Sequence, residues 1–117
     1  MYVTGMESFV IDWGRVEQLR EEVGPEAFAE IAAMFLAEAD DAIGALAPGA
    51  PAAQMAADLH AIKGSALNLG FNEVADLCAR GEAASNAGHP ERAELAAIRR
   101  AYSAAKATFV ARFPVAG

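Results

Sequence analysis

Between Pro51 and Gly70 the chain carries one histidine, His60, followed three residues later by Lys63 and four later by Gly64. A neutral imidazole offers a lone pair on one ring nitrogen and an N–H on the other. Lys63 stands at the helical spacing at which side chains meet, and its charge is unhelpful beside a metal-binding imidazole. It suits an imidazole that gains a phosphoryl group, which adds up to two negative charges. At an exposed site that attraction is worth about 0.2–1 kcal/mol, and it grows where a partner excludes water. Taken alone, Lys63 also reads as an ordinary solvated lysine. Gly64 costs about 1 kcal/mol against alanine inside a helix, so its place here needs a reason, and close approach of a partner or phosphate supplies one.

These residues need a helix to hold them. At about 100° per residue, Met55, Leu59, Ile62, Ala66 and Leu69 fall on one arc, the buried stripe, and His60 lies about 140° from its middle. The ring is therefore expected in solvent. Around it stand Ala53, Ala56 and Ala57 before and Leu67 after, on a face that long polar side chains usually fill. Ala56, Ala57 and Leu67 are thus candidate docking residues, although an alanine-rich composition would also account for the alanines. Met34, outside the apolar stripe of the preceding helix, is a fourth candidate, since exposed methionines adapt to partners. Plain surface exposure is its alternative.

Alanine forms about a quarter of the chain and is the strongest helix former, so the fold is expected to be all-α. Proline and glycine punctuate it into helices near 12–23, 25–47, 51–69, 72–87 and 90–113. Phe28, Ile31, Ala32, Phe35, Ala39, Ala42, Ile43 and Leu46 form one stripe, and Leu95, Ile98, Tyr102, Ala105, Phe109 and Phe113 another. Four amphipathic helices with short links predict an antiparallel up-down four-helix bundle. The short first helix, with Ile11, Val16, Leu19 and Val23, is expected to cap one end. Residues 1–117 read as a single domain of a size that buries a core without staples.

Composition narrows the partners. Nine Lys or Arg against 16 Asp or Glu give a net charge of −7, and without a basic cluster neither nucleic acid nor an anionic membrane surface is an expected partner. Glu38, Asp40 and Asp41 interrupt the most hydrophobic stretch, so no membrane span is predicted. The N-terminus, from Met1 to Glu7, lacks the basic start and apolar core of a secretory signal. A lone cysteine, Cys78, fits a reducing compartment, and the cytoplasm is the expected location.

The run His60-Ala-Ile-Lys63-Gly64-Ser65-Ala, then Gly70, Val74, Leu77, Cys78 and Glu82, resembles the signature of histidine phosphotransfer (HPt) domains of two-component phosphorelays. Asp12, Leu19, Gly24, Phe28 and Phe35 upstream are similar to the first two helices of that family, so the resemblance covers essentially the whole chain. It implies a monomeric phosphorelay carrier: His60 takes a phosphoryl group on its outer ring nitrogen from a receiver-domain phosphoaspartate and passes it to another receiver aspartate, or back. It implies that Lys63 stabilises the phosphoryl oxygens and that Gly64 leaves them room. Partners would be response-regulator receiver domains and, as a further candidate, a hybrid histidine kinase. Glu82 occupies a position where many relatives carry Glu or Gln, and in the histidine-bearing domain of chemotaxis kinases a similar Glu bonds the histidine ring.

Helix geometry permits that last contact. His60 lies ten residues before the Gly70 turn and Glu82 twelve after it, so in antiparallel helices they sit within about 3 Å in height. A carboxylate there would orient the ring; an ordinary surface glutamate is the alternative. Asp58 falls on the far side of the helix from His60, and no Gly-rich nucleotide loop occurs. Hence no cofactor, metal or autonomous kinase activity is expected of this chain, and Mg²⁺ is expected on the partner receiver. A metal site from His60, Cys78 and His89 is disfavoured, because Cys78 falls on the apolar arc and His89 in a loop; His89 is expected to help start the last helix. The competing functional reading is a non-phosphorylated helical adaptor that binds a receiver or kinase.

Overall fold

Residues at the helix ends decide where each segment starts and stops. The computed structural model describes residues 10–114, and among these are five α-helices, one 3-10 turn and no strand. Helix α1 spans Trp13–Val23, with Asp12 as its N-cap: the Asp12 carboxylate accepts from the Arg15 backbone N–H at 3.1 Å. Gly24, at φ +87°, turns the chain, and Pro25 opens α2, Pro25–Ala45, at the position where a missing N–H costs nothing. Helices α3, Ala52–Asn68, and α4, Asn72–Asn86, are joined by a tight turn. At its centre Gly70 adopts φ +73°, and a Cβ there would stand 2.8 Å from the Asp12 carbonyl oxygen. The Asp12 N–H donates to the Gly70 carbonyl at 2.7 Å, so the start of α1 is tied to the α3–α4 turn.

The last segment differs from the expected continuous helix over 90–113. Pro90–Arg92 forms one 3-10 turn, Ala93 is extended at φ −69°, ψ 129°, and α5 begins afresh at Leu95 and runs to Arg112. Pro90 fixes a helical φ but cannot make the next turn propagate, and Ala93 is drawn in against α4 beside Gly81. His89 is the N-cap residue of the 3-10 turn: its carbonyl accepts from the Arg92 N–H at 3.0 Å, while its side chain makes no capping bond and its Nδ1 lies 3.3 Å from Glu91.

Packing follows the sequence stripes closely. Met55, Leu59, Ile62, Ala66 and Leu69 are all buried, together with Phe28, Ala32, Ala39, Ile43, Leu46, Ile98, Tyr102, Ala105 and Phe109. On α2 the stripe is rotated slightly, since Leu36 is buried while Ile31 and Phe35 are only partly covered. Contacts between Phe28 and Phe109, Asp40 and Tyr102, and Leu46 and Arg99 run α2 and α5 in opposite directions. Helix α1 packs on the same pair: Trp13 stacks on Phe109, and the Arg112 guanidinium lies 4.5 Å over the Trp13 ring. Each fully buried Leu, Ile or Phe contributes about 1.5–3 kcal/mol, whereas an exposed pair such as Arg80–Asp76 is worth about 1 kcal/mol at most. Apolar burial therefore holds the helices together, and polar contacts orient what they carry.

Candidate functional site

Helices α3 and α4 approach closely because residue 81 is glycine. A Cβ at Gly81 would stand 2.7 Å from Leu59 Cδ1 and 3.1 Å from Ala93 Cβ. Leu59 and Gly81 are the neighbours of His60 and Glu82, so the close approach that buries one pair brings the other into reach at the surface.

His60 stands out from the bundle with 68% of its side chain exposed, and its Nδ1 lies 3.0 Å from Glu82 Oε2. Lys63 Nζ donates to the other oxygen, Oε1, at 2.8 Å. Glu82 itself is 19% exposed, and its carboxyl titrates below its ordinary range, chiefly through the Lys63 hydrogen bond and further through His60, against a smaller opposing effect of burial. An ionised carboxylate only accepts, so the Nδ1 facing it carries the proton. In the neutral ring the lone pair is then on Nε2. Glu82 thus contacts the imidazole, and its carboxylate is shared with Lys63, which the sequence had placed beside the ring without this partner.

Gly64 is exposed, and a Cβ built on it would meet nothing within 4 Å. Among the described residues nothing requires a glycine there. Ala57 is exposed, and Leu67 and Met34 are each 50% exposed, the two large apolar side chains most open to solvent among the described residues. Leu67 lies seven residues after His60 and so on the same side of α3. Ala56 is a correction to the docking set: it is buried, with 9% exposure. It lies seven residues before Lys63 and so on the same flank of α3, where the part-buried Lys63 meets Glu82 of α4. Met34 belongs to α2 and makes no part of the His60–Glu82–Lys63 cluster.

Cys78 is fully buried, and burial, reinforced by the nearby Glu82 charge, pushes its thiol up to about 12. It therefore stays a neutral packing group. Asp58 accepts from Gln54 at 2.7 Å, away from His60. Among the described residues no group of three His, Cys, Asp or Glu side chains is placed to hold a metal ion. Nor does any described helix have the length and apolarity to cross a membrane.

Gly81 is the positioning residue that sequence reasoning missed. Its signal was available, since a glycine inside a helix costs as much at position 81 as at position 64.

A family model described as Hpt domain matches residues 30–108, more than half of the chain. No curated protein and no solved structure matches it.

Proposed function

We propose, from the premise that the chain belongs to the Hpt domain family, that His60 is the phosphoryl-accepting residue of a phosphorelay carrier. Hpt domains take part in histidine phosphotransfer, act with receiver domains and histidine kinases, and are phosphocarriers rather than enzymes. The observation that carries the assignment to His60 is its ring geometry: Nδ1 faces Glu82 at 3.0 Å on a side chain that is 68% exposed, which leaves the lone pair on Nε2.

In the proposed step the Nε2 lone pair forms the N–P bond while the P–O bond to a receiver aspartate breaks, and that carboxylate leaves with its electron pair. The proton on Nδ1 stays where Glu82 holds it. Lys63 offsets the charge of the phosphoryl oxygens, and Gly64 leaves them room. The receiver contributes Mg²⁺ in its acidic pocket and docks over Ala57 and Leu67, with Met34 as an outer contact. The reading treats the chain as one monomeric domain acting in the cytoplasm, its four long helices in up-down order.

Mixing the purified protein with a phosphorylated receiver tests this. The expected product is an acid-labile, base-stable phosphoprotein that His60→Gln abolishes. No transfer from several receivers would instead favour a helical adaptor that binds them without accepting phosphate.

A further inference from the structure

The two oxygens of Glu82 are divided between His60 and Lys63, and this division bears on the phosphorylated state. The inference rests on reading His60 as the phosphoacceptor. Once Nε2 carries a phosphoryl group, the ring with a proton on Nδ1 is cationic. When the P–N bond then breaks, the electron pair returns to Nε2 and a neutral imidazole leaves. A ring that has lost the Nδ1 proton would have to leave as an imidazolate, a far more basic and poorer leaving group. Whatever faces Nδ1 decides which form prevails.

Here that group is a carboxylate. Among the described residues Glu82 is the one ionisable partner of the ring. Lys63, on the same helix, reaches the site through the other oxygen of Glu82. Cys78, the other titratable group of α4 beside the pair, is buried and neutral. An anionic acceptor 3.0 Å from Nδ1 favours the protonated ring. The same carboxylate also engages Lys63, so one of the three ammonium N–H groups and part of its charge are committed to Glu82 rather than to a phosphoryl oxygen. Both effects keep the phosphohistidine reactive.

We propose that Glu82 is a positioning residue that sets the lability of the phosphoryl group on His60, by holding the Nδ1 proton on the phosphorylated ring and by competing for Lys63. Transfer then breaks the P–N bond with no proton exchanged at the ring, and the phosphoryl group passes to a receiver carboxylate. In hydrolysis it passes to water, whose proton goes to solvent.

The test needs no receiver. The chain has two histidines, so a His89→Asn background leaves His60 alone to be phosphorylated by phosphoramidate. Nitrogen-15 NMR gives the ring pKa of phosphorylated His60, and phosphorus-31 NMR gives its hydrolysis rate from about pH 5 to about pH 9. Glu82→Gln is expected to lower the ring pKa and, above that pKa, to slow hydrolysis about three- to tenfold, the change that goes with a shift of about half a unit to one unit. Glu82→Asp, which keeps the charge, should recover part of the difference, and far-UV circular dichroism should be unchanged in both. Equal ring pKa values and superimposable hydrolysis profiles for the parent and Glu82→Gln would overturn the role of Glu82 while leaving His60 as the acceptor. Failure of His60 itself to take phosphate would remove both readings.

Discussion

A methyl group on Gly81 would come within 2.7 Å of Leu59 Cδ1, closer than two carbon atoms can pack. This missing side chain lets α4 lie against α3 at the level where Glu82 meets His60. Spacing between two helices is thereby converted into a hydrogen bond on their outer face.

Gly81→Val should lower stability by about 1–3 kcal/mol, because the added carbons must displace a fully buried Leu59 and a close Ala93. Gly81→Ala should cost less, since gaining about 1 kcal/mol of helix propensity offsets part of the crowding. Denaturant titration measures both. In the same proteins NMR should show the His60 ring losing its preference for the Nδ1–H tautomer in the order parent, Ala, Val. A valine variant with an unchanged tautomer would show that helix spacing does not set this contact.

At Gly64 the outcome should be opposite. Its Cβ would stand in open space, so Gly64→Ala should stabilise the free protein by about 0.5–1 kcal/mol through backbone entropy alone. Phosphoryl transfer from a receiver should nevertheless slow, because the space is proposed to serve the phosphoryl group and its donor. Faster or equal transfer in this variant would mean that the glycine has no part in the reaction.

The contrast between these two glycines marks what was legible in the sequence. Helix rotation and rise are fixed numbers, so the buried arc from Met55 to Leu69, the outward position of His60 and the common level of His60 and Glu82 could all be read from one strand of text. What a neighbouring helix covers could not. Ala56 lies off its own apolar stripe yet is buried. Lys63 lies at contact spacing from His60, but a carboxylate 19 residues farther along the chain captures it. The close neighbour of Gly81 is Leu59, 22 residues earlier, so only the cost of a mid-helix glycine was visible. At Pro90 the start signal was correct for one turn and gave no sign of the extended Ala93 behind it.

Acid should weaken the fold through two carboxylates. Glu82 is held below its ordinary value of 4.5, first by Lys63 and then by His60. Asp40, accepting from Tyr102 at 2.6 Å and Lys106 at 2.7 Å, is held below 3.8: burial alone would raise it, but those hydrogen bonds outweigh the burial. A depressed folded-state value means that the unfolded chain binds the proton first, so each group stabilises the fold fully above its unfolded value and loses that contribution as pH falls through the folded one. The midpoint of thermal unfolding should therefore hold steady from neutral pH down to about pH 5 and decline below it. Part of the decline should disappear in Glu82→Gln and part in Asp40→Asn, and the two parts should add, since Glu82 ties α4 to α3 whereas Asp40 ties α2 to α5. The Asp40 share should be the more sensitive to salt, because that pair is the more exposed of the two. An acid slope left intact in both variants would assign it to other carboxylates and remove these two contacts from the stability of the bundle.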